Sequence, residues 1–279
     1  MKKIALTIVL FLGMTASVCA QTNNGAGFRI SLGNTLGVSG VTVQNDYDGT
    51  FHPGFSYGAD LNFYAFFNAH VGFRTGLGFS HIYSSYSYGS LTEHQSINDI
   101  YQVDYTYNVE DVSMRFNASY AQIPLQLSLL WKRWYANLGF KLALPMQTQS
   151  YCEYGNVEVS AYLPETGTSV APGDPLSSLL GCDNYGKQTF DAMKGKNPWM
   201  VLASVDFGFR IPCSGVNNWT IGLYADYSLF SSEVENTMVK TTMNSAHQGV
   251  ASVAGMPIDN LGFFAAGIKL QCDFEMNVK

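Results

Sequence analysis

The sequence has little charge. Only 13% of its residues are Asp, Glu, Lys or Arg, whereas 47% are hydrophobic and 14% are aromatic. A typical soluble domain carries about 25% charged residues. The shortage indicates that something other than water covers part of the surface. The net charge of −6 also argues against a nucleic-acid partner.

Long apolar runs are missing after residue 20. None approaches the roughly 20 apolar residues of a membrane-spanning helix. The run 4–14 follows two lysines and precedes small side chains, Val18 and Ala20, at the −3 and −1 positions of a cleavage site. This order is typical of a secretory signal peptide. We therefore predict a signal peptide at residues 1–20 and an exported domain at residues 21–279.

Apolar and polar residues alternate with a period of two in eight segments. Such alternation predicts strands with one apolar and one polar face. The segments are 28–33, 55–65, 71–80, 122–129, 136–142, 201–210, 220–229 and 264–271.

The connections between these strands alternate between short and long. The second, fourth and sixth strands are followed by residues 67–68, 132–134 and 211–218, whereas the other connections are longer, the longest being about 150–197. Short periplasmic turns and long extracellular loops are typical of outer-membrane barrels, in which closure pairs every backbone group. We predict an all-β fold, an antiparallel up-and-down transmembrane β-barrel of eight strands in the cell outer membrane.

The strand count depends on one region. Residues 101–109 and 112–116 also alternate, around an apparent turn at Glu110-Asp111. We expect them to extend the third and fourth strands on the extracellular side, and a ten-stranded barrel is the alternative. The apolar phase slips between Tyr120 and Ala121, which predicts a bulge there.

Tryptophans lie at the predicted strand ends. Trp131, Trp134 and Trp219 fall at periplasmic ends and Trp199 at an extracellular end. This placement favours the aromatic girdles of a membrane barrel. The alternative is the core of a soluble fold.

All the charges within the predicted strands share the polar phase, which faces the lumen if the apolar phase faces lipid. The interior of an eight-stranded barrel is just wide enough for side chains to fill it. We therefore predict a hydrogen-bonded polar plug, with an ion path as the alternative. The predicted network is Arg29, Asp60, Arg74, Lys141, Asp206, Arg210, Asp226 and Lys269.

Four cysteines remain after cleavage, an even number in an oxidising compartment. Cys152 and Cys182 lie in the longest extracellular loop, and Cys213 and Cys272 at the periplasmic side. Disulfides need Cα atoms within about 7 Å, so the membrane leaves only the pairs Cys152–Cys182 and Cys213–Cys272. No CxxC motif or nearby His supports a metal site, and we expect neither a metal nor a cofactor. Cys19 raises the alternative of a lipoprotein.

One histidine raises the possibility of catalysis. His81 lies near the top of the third strand, with Ser80, Ser84 and Ser85 nearby. A rim His beside serines is an arrangement that a lipid-modifying enzyme can use. An interfacial His at a strand end is the commoner situation, so we predict no enzymatic activity.

Two segments resemble a known family. The sequence from Tyr120 to Leu127, YAQIPLQL, is similar to the YxxIPLxL strand of the PorT-like outer-membrane β-barrel family of Bacteroidetes-type bacteria. Residues 135–140 look like the strand that follows it there. The resemblance spans roughly residues 27–274, and it implies an OmpA/OmpX-like fold without a defined biochemical activity. Phe274 corresponds to a terminal aromatic, although five residues follow it.

These observations favour a monomeric, non-enzymatic barrel embedded in outer-membrane lipid. Its long loops would serve surface interaction, with a polysaccharide or protein partner, or envelope integrity. A narrow pore or an accessory of a secretion or transport machine is the second hypothesis, and a lipid-modifying enzyme is the third.

Overall fold

The computed structural model consists almost entirely of antiparallel strands. It describes residues 27–44, 49–98, 102–191, 199–213, 217–230, 232–233, 239–243, 249–253 and 260–276. The predicted signal peptide lies outside these residues. The strands are β1 (Gly27–Gln44), β2 (Thr50–His52), β3 (Gly54–Phe66), β4 (Val71–Asn98), β5 (Gln102–Trp131), β6 (Trp134–Tyr154), β7 (Asn156–Leu163), β8 (Thr168–Val170), β9 (Gln188–Asp191), β10 (Met200–Pro212), β11 (Asn217–Ser228), β12 (Ser232–Glu233), β13 (Val239–Met243), β14 (Gly249–Val253) and β15 (Asn260–Met276). One short helix, α1, spans Ser177–Leu180.

Eight of these strands form a closed ring in chain order. β1, β3, β4, β5, β6, β10, β11 and β15 each pair antiparallel with the next. The ring closes where β1 pairs with β15, from Phe28 opposite Met276 to Gln44 opposite Asn260. The prediction of an eight-stranded up-and-down barrel is confirmed, and the ten-stranded alternative is wrong.

The outer face of the ring is apolar. Leu36, Leu77 and Leu223 are 67%, 64% and 63% exposed, and many other large apolar side chains share this face. Exposing such a side chain to water costs about 1.5–3 kcal/mol, so this belt faces hydrocarbon. Trp131 and Trp199 are also exposed, as expected for residues at the two edges of the belt. Among the described residues, no helix is long and apolar enough to cross a membrane.

Three strands continue beyond the barrel on the extracellular side and form a sheet that we call the blade (residues 85–98, 102–115 and 150–155). The predicted extension of the third and fourth strands is confirmed, but the turn at Glu110-Asp111 is wrong. β5 runs through these residues, and Glu110 stays paired with Ser90 of β4 and with Asn156 of β7. Glu110 and Asp111 are both exposed, so the alternation of buried and exposed residues starts again after them. Asp111 takes a left-handed φ of 51°.

The neighbouring strands change phase at the same level. The buried side chains step from Val109 to Val112 in β5, and Tyr88 is followed by Leu91 in β4. Between β6 and β7, the step runs from Tyr154 to Val157. Because the three strands shift together, their register is preserved.

The phase slip near Tyr120 has a different origin. On the lumen side, β5 alternates without interruption from Val112 to Ser128. Below Tyr120 the strand has lipid outside and polar groups inside, whereas above it the apolar side chains face inward. The apolar phase therefore changes while the backbone continues. The pairing irregularity is on β6, since Ser119 opposes Gln147 and Tyr120 opposes Pro145, which leaves Met146 as the extra residue.

The long segment after β6 folds onto the blade as a lobe, which we define as residues 156–191. It contains β7, β8, α1 and β9. Val157, Val159 and Cys182 are buried in one apolar cluster with blade residues such as Tyr105. The Tyr105 hydroxyl donates a 3.0 Å hydrogen bond to the Leu180 carbonyl. The lobe and the blade therefore share one packed apolar core, which continues into the ring at residues such as Phe263.

Candidate functional site: the barrel interior and its outer rim

The middle of the lumen holds a four-membered charge cluster. Arg74 of β4 is hydrogen-bonded to Asp206 of β10, and its guanidinium lies 3.5 Å from Asp60 of β3. Lys269 of β15 lies 2.8 Å from Asp60 and 3.2 Å from Asp206. Four strands thus meet through two cations and two carboxylates. Strand alternation is the cause, because it points all four side chains to the same side of the sheet.

Neutral side chains add hydrogen bonds to this cluster. The Arg74 Nε donates to Asn62 Oδ1 at 3.0 Å, and its Nη1 donates to Gln126 Oε1 at 2.8 Å. Gln126 in turn donates to the Ser204 hydroxyl at 2.9 Å. Arg74, Asp206, Asn62 and Gln126 all have 0% exposure. This level of the lumen is therefore occupied by buried side chains.

A second cluster lies toward the periplasmic end. Arg29 of β1 is 3.2 Å from Asp273 of β15, which also accepts hydrogen bonds from Thr220 and Gln271. The Arg29 guanidinium stacks over the Tyr64 ring at 4.3 Å. Arg210 contributes more weakly to this cluster, with Nε 4.0 Å from Asp273.

Asp273 was missed by the sequence prediction. The eighth strand was expected to end at Phe274 and β15 ends at Met276, but the alternation was followed only to residue 271. The polar phase of Lys269 and Gln271 places Asp273 in the lumen once it is followed to the end of the strand. The same phase contains Asn62 and Gln126, whose role as ligands of the Arg74 guanidinium also went unrecognised.

Toward the outer end of the lumen, the charges form a simple pair. Lys141 of β6 donates to Asp226 of β11 at 2.8 Å. The pair borders a cavity of about 30 Å³ that is also lined by Ser56, Tyr224 and Phe263. A cavity of this size has room for about one or two water molecules.

The eight predicted lumen residues therefore occupy one connected interior. With Asp273 they amount to five cations and four carboxylates, which leaves a single excess positive charge. Buried charges are tolerated when they are paired and hydrogen-bonded. The Arg74–Asp206 pair bridges β4 and β10, which are three strands apart in the ring, so charged side chains crosslink the interior.

His81 lies on the outer face of the barrel, near the outer edge of the apolar belt. Its Nδ1 is 2.9 Å from the hydroxyl of Ser119, directly across the β4–β5 ladder, and its ring centroid is 4.9 Å from that of Tyr57. The predicted neighbour Ser80 instead accepts a hydrogen bond from Gln122 at 2.8 Å. The structure thus brings together His81 and a serine that was not singled out.

The four cysteines of the exported domain are free thiols in the structure. Cys152 and Cys182 are buried in the same apolar cluster, and burial raises their pKa values to about 12 and about 11. Cys213 is exposed and Cys272 is partly buried. Both disulfides stay predictions. In the part of the chain that is described, no three His, Cys, Asp or Glu residues are grouped to hold a metal ion.

Thirty-two solved chains are similar to this one, among them the following three. The chain is 10% identical to Ail, the attachment invasion locus protein of Yersinia pestis, over 88% of this chain and 98% of that chain, with a TM-score of 0.29. For the outer membrane protein AlkL the identity is 10%, the coverage 93% and 95%, and the TM-score 0.34. For the outer membrane protease OmpT of Escherichia coli the identity is 8%, the coverage 89% and 97%, and the TM-score 0.33. No curated protein matches the chain in sequence.

A family match covers more than half of the chain. The profile of the outer membrane protein beta-barrel domain matches residues 19–234. This span includes seven of the eight ring strands and the whole lobe. With its closed ring, apolar belt and polar lumen, the chain belongs to the outer membrane protein beta-barrel domain family and is a protein of the cell outer membrane.

Proposed function

We propose that the protein is a non-enzymatic scaffold whose barrel holds an ordered extracellular lobe for surface interaction or for envelope integrity. One observation carries this proposal: the apolar core that blade and lobe share outside the membrane. Val109, Met114, Val157 and Val159 are each 0% exposed. A loop that only connected β6 to β10 would need no such core.

The turns of the lobe support the same conclusion. Gly167, Gly173, Gly181 and Gly186 have left-handed φ values between 59° and 88°, at bends where a residue without a Cβ is favoured. A loop with specified turns and a packed core is a defined surface, and long defined loops on rigid scaffolds usually carry function. The filled lumen directs any activity to this surface.

A trimmed barrel tests the proposal. Ser85 and Arg115 oppose each other across the β4–β5 ladder, so a tight turn can replace residues 86–114. A short Gly/Ser linker would replace residues 150–198 in the same variant. Blade and lobe are removed together because each one alone would expose the apolar face that the other covers. We expect the variant to assemble in the outer membrane, as judged by its heat-modifiable mobility on gels.

The experiment compares three strains: cells without the protein, cells with the wild type and cells with the trimmed barrel. Adhesion to other cells, binding of purified polysaccharides and proteins, and resistance to detergents would be measured. The wild type should restore at least one of these properties and the trimmed barrel should not. Equal restoration by both would overturn the proposal.

A transport role is the alternative that the PorT-like strand supports. The similarity of residues 120–127 to that strand would fit an accessory of a secretion machine. In that case a strain without the protein should retain secreted cargo in the periplasm. If transport depends on the barrel alone, the trimmed barrel will restore secretion although it lacks the blade and the lobe.

A lipid-modifying activity is the third candidate, and the His81–Ser119 contact is what favours it. A His that accepts the proton of a serine hydroxyl can activate that serine toward a lipid ester. We expect His81→Ala and Ser119→Ala to leave phospholipid and lipid A profiles unchanged if the main proposal holds. A loss of one lipid species in both variants would favour the enzyme.

A further inference from the structure

The extracellular tip carries an apolar groove that the barrel fold does not require. Its volume is about 290 Å³, and its lining includes Leu163, Leu176, Leu179 and Leu180. Leu176 and Leu179 are 42% and 45% exposed. Exposed aliphatic side chains that line a concave surface are typical of an interaction site rather than of a water-facing loop.

The groove lies too far from the membrane to face lipid. From Ser84 to Asn98, β4 continues for fifteen residues beyond the aromatic edge of the belt, which is about 50 Å along the strand. With a strand tilt of roughly 35–45°, the tip stands some 35–40 Å above that edge. The headgroup region extends only about 5–8 Å on each side of the hydrocarbon core. Membrane lipid is therefore excluded as the occupant of the groove.

The charge of the blade and the lobe indicates the kind of occupant. Residues 85–98, 102–115 and 150–191 contain ten carboxylates and two cations, Arg115 and Lys187, a formal charge of −8 with histidine neutral. Lys187 is already paired with Glu153 at 2.5 Å. The carboxylates are Glu93, Asp104, Glu110, Asp111, Glu153, Glu158, Glu165, Asp174, Asp183 and Asp191.

An acidic field of this size attracts cations and repels polyanionic glycans. Glu165 lines the groove itself, so a positive charge next to a bound apolar group would meet a carboxylate there. A groove of 290 Å³ is at the lower limit of ligand pockets and suits one or two apolar side chains. An apolar side chain flanked by cations is a property of polypeptides.

We propose that this groove binds an aliphatic or aromatic side chain of a cationic polypeptide, whose Lys or Arg residues meet the carboxylates of the lobe. The inference rests on the proposed function and names the class of partner. The apolar anchor supplies most of the affinity, and the acidic surface supplies the rate of association and the choice of partner. Raising the ionic strength therefore weakens binding mainly by slowing association.

The test uses the full-length protein in nanodiscs of zwitterionic lipid. A random-peptide phage library is selected on these nanodiscs after depletion on empty ones, and the enriched peptides are synthesised. Binding is then measured on the wild type, on Leu179→Ser and on Tyr151→Ser. Tyr151 is a matched control, since it is also 45% exposed but lies on β6 and does not line the groove. Heat-modifiable gel mobility shows that each variant is folded.

The expected result is enrichment of peptides with an apolar residue next to Lys or Arg. Their affinity should fall about tenfold or more in Leu179→Ser and stay unchanged in Tyr151→Ser. Peptides that bind the lobe but tolerate Leu179→Ser would overturn the groove and leave the proposed function standing. Enrichment of only neutral or acidic peptides, or of none, would also overturn the inference. The cell assays with the trimmed barrel judge the proposed function separately.

Discussion

Removing the carboxylate of Asp206 tests whether the lumen is a dry, crosslinked plug. Asp206 is fully buried and bonds to both Arg74 and Lys269. In Asp206→Ala the carboxylate that remains beside both cations is Asp60, which lies 3.5 Å from Arg74 and 2.8 Å from Lys269. Breaking a buried ion pair by removing one partner costs about 3–5 kcal/mol, because a charge is left without compensation. We expect a loss of folding free energy in this range.

Equilibrium unfolding by guanidinium in detergent micelles measures this loss through tryptophan fluorescence. Glu153→Ala, which removes an exposed ion pair with Lys187, should show no resolvable change. Asp206→Ala/Lys269→Met removes one charge of each sign and should recover part of the stability, a coupling that independent sites would not show. If Asp206→Ala lost no more stability than Glu153→Ala, the lumen charges would be solvated and the plug would be refuted.

Four further predictions concern the lumen, the strand packing, the thiol reactivity and the disulfides. The wild type should give no steady conductance in planar bilayers, because buried side chains fill the lumen. A steady current through the wild type would contradict a filled lumen. Gly222→Ala should lose about 1–3 kcal/mol in the same unfolding assay, because a Cβ there collides with the Tyr135 hydroxyl and the Phe207 carbonyl. Gly78→Ala, whose Cβ would be 3.5 Å from its nearest neighbour, is the matched control and should be close to neutral. In the reduced, folded protein at neutral pH, a maleimide should label the exposed Cys213 much faster than Cys152 or Cys182. Burial raises the pKa values of the latter two thiols, so their thiolates form only at higher pH, and equal labelling would contradict this placement. Peptide mapping of the exported protein without reductant should recover the Cys152–Cys182 and Cys213–Cys272 pairs.

Strand positions and faces were readable because alternation is a local property. The pattern in residues 55–65 or 201–210 depends only on lipid on one side and a polar lumen on the other. The same logic placed Arg74, Asp206 and Lys269 inside. It failed where the surroundings changed: above Tyr120 the apolar side chains turn inward, and the sequence could not distinguish that change from a break in the strand.

The sequence alone predicted an outer-membrane barrel of eight strands, with ten as the alternative, and placed its strand charges on the lumen side. The strand count and the pairing of the charges became visible only in the fold, since Arg29 and Asp273 are 244 residues apart and meet through ring closure. Ring closure also brings Arg74 next to Asp206 and Lys141 next to Asp226. The blade, its shared change of phase and the core of the lobe likewise needed the structure. Alternation shows which side a residue faces, whereas a contact depends on the register between strands that are distant in sequence.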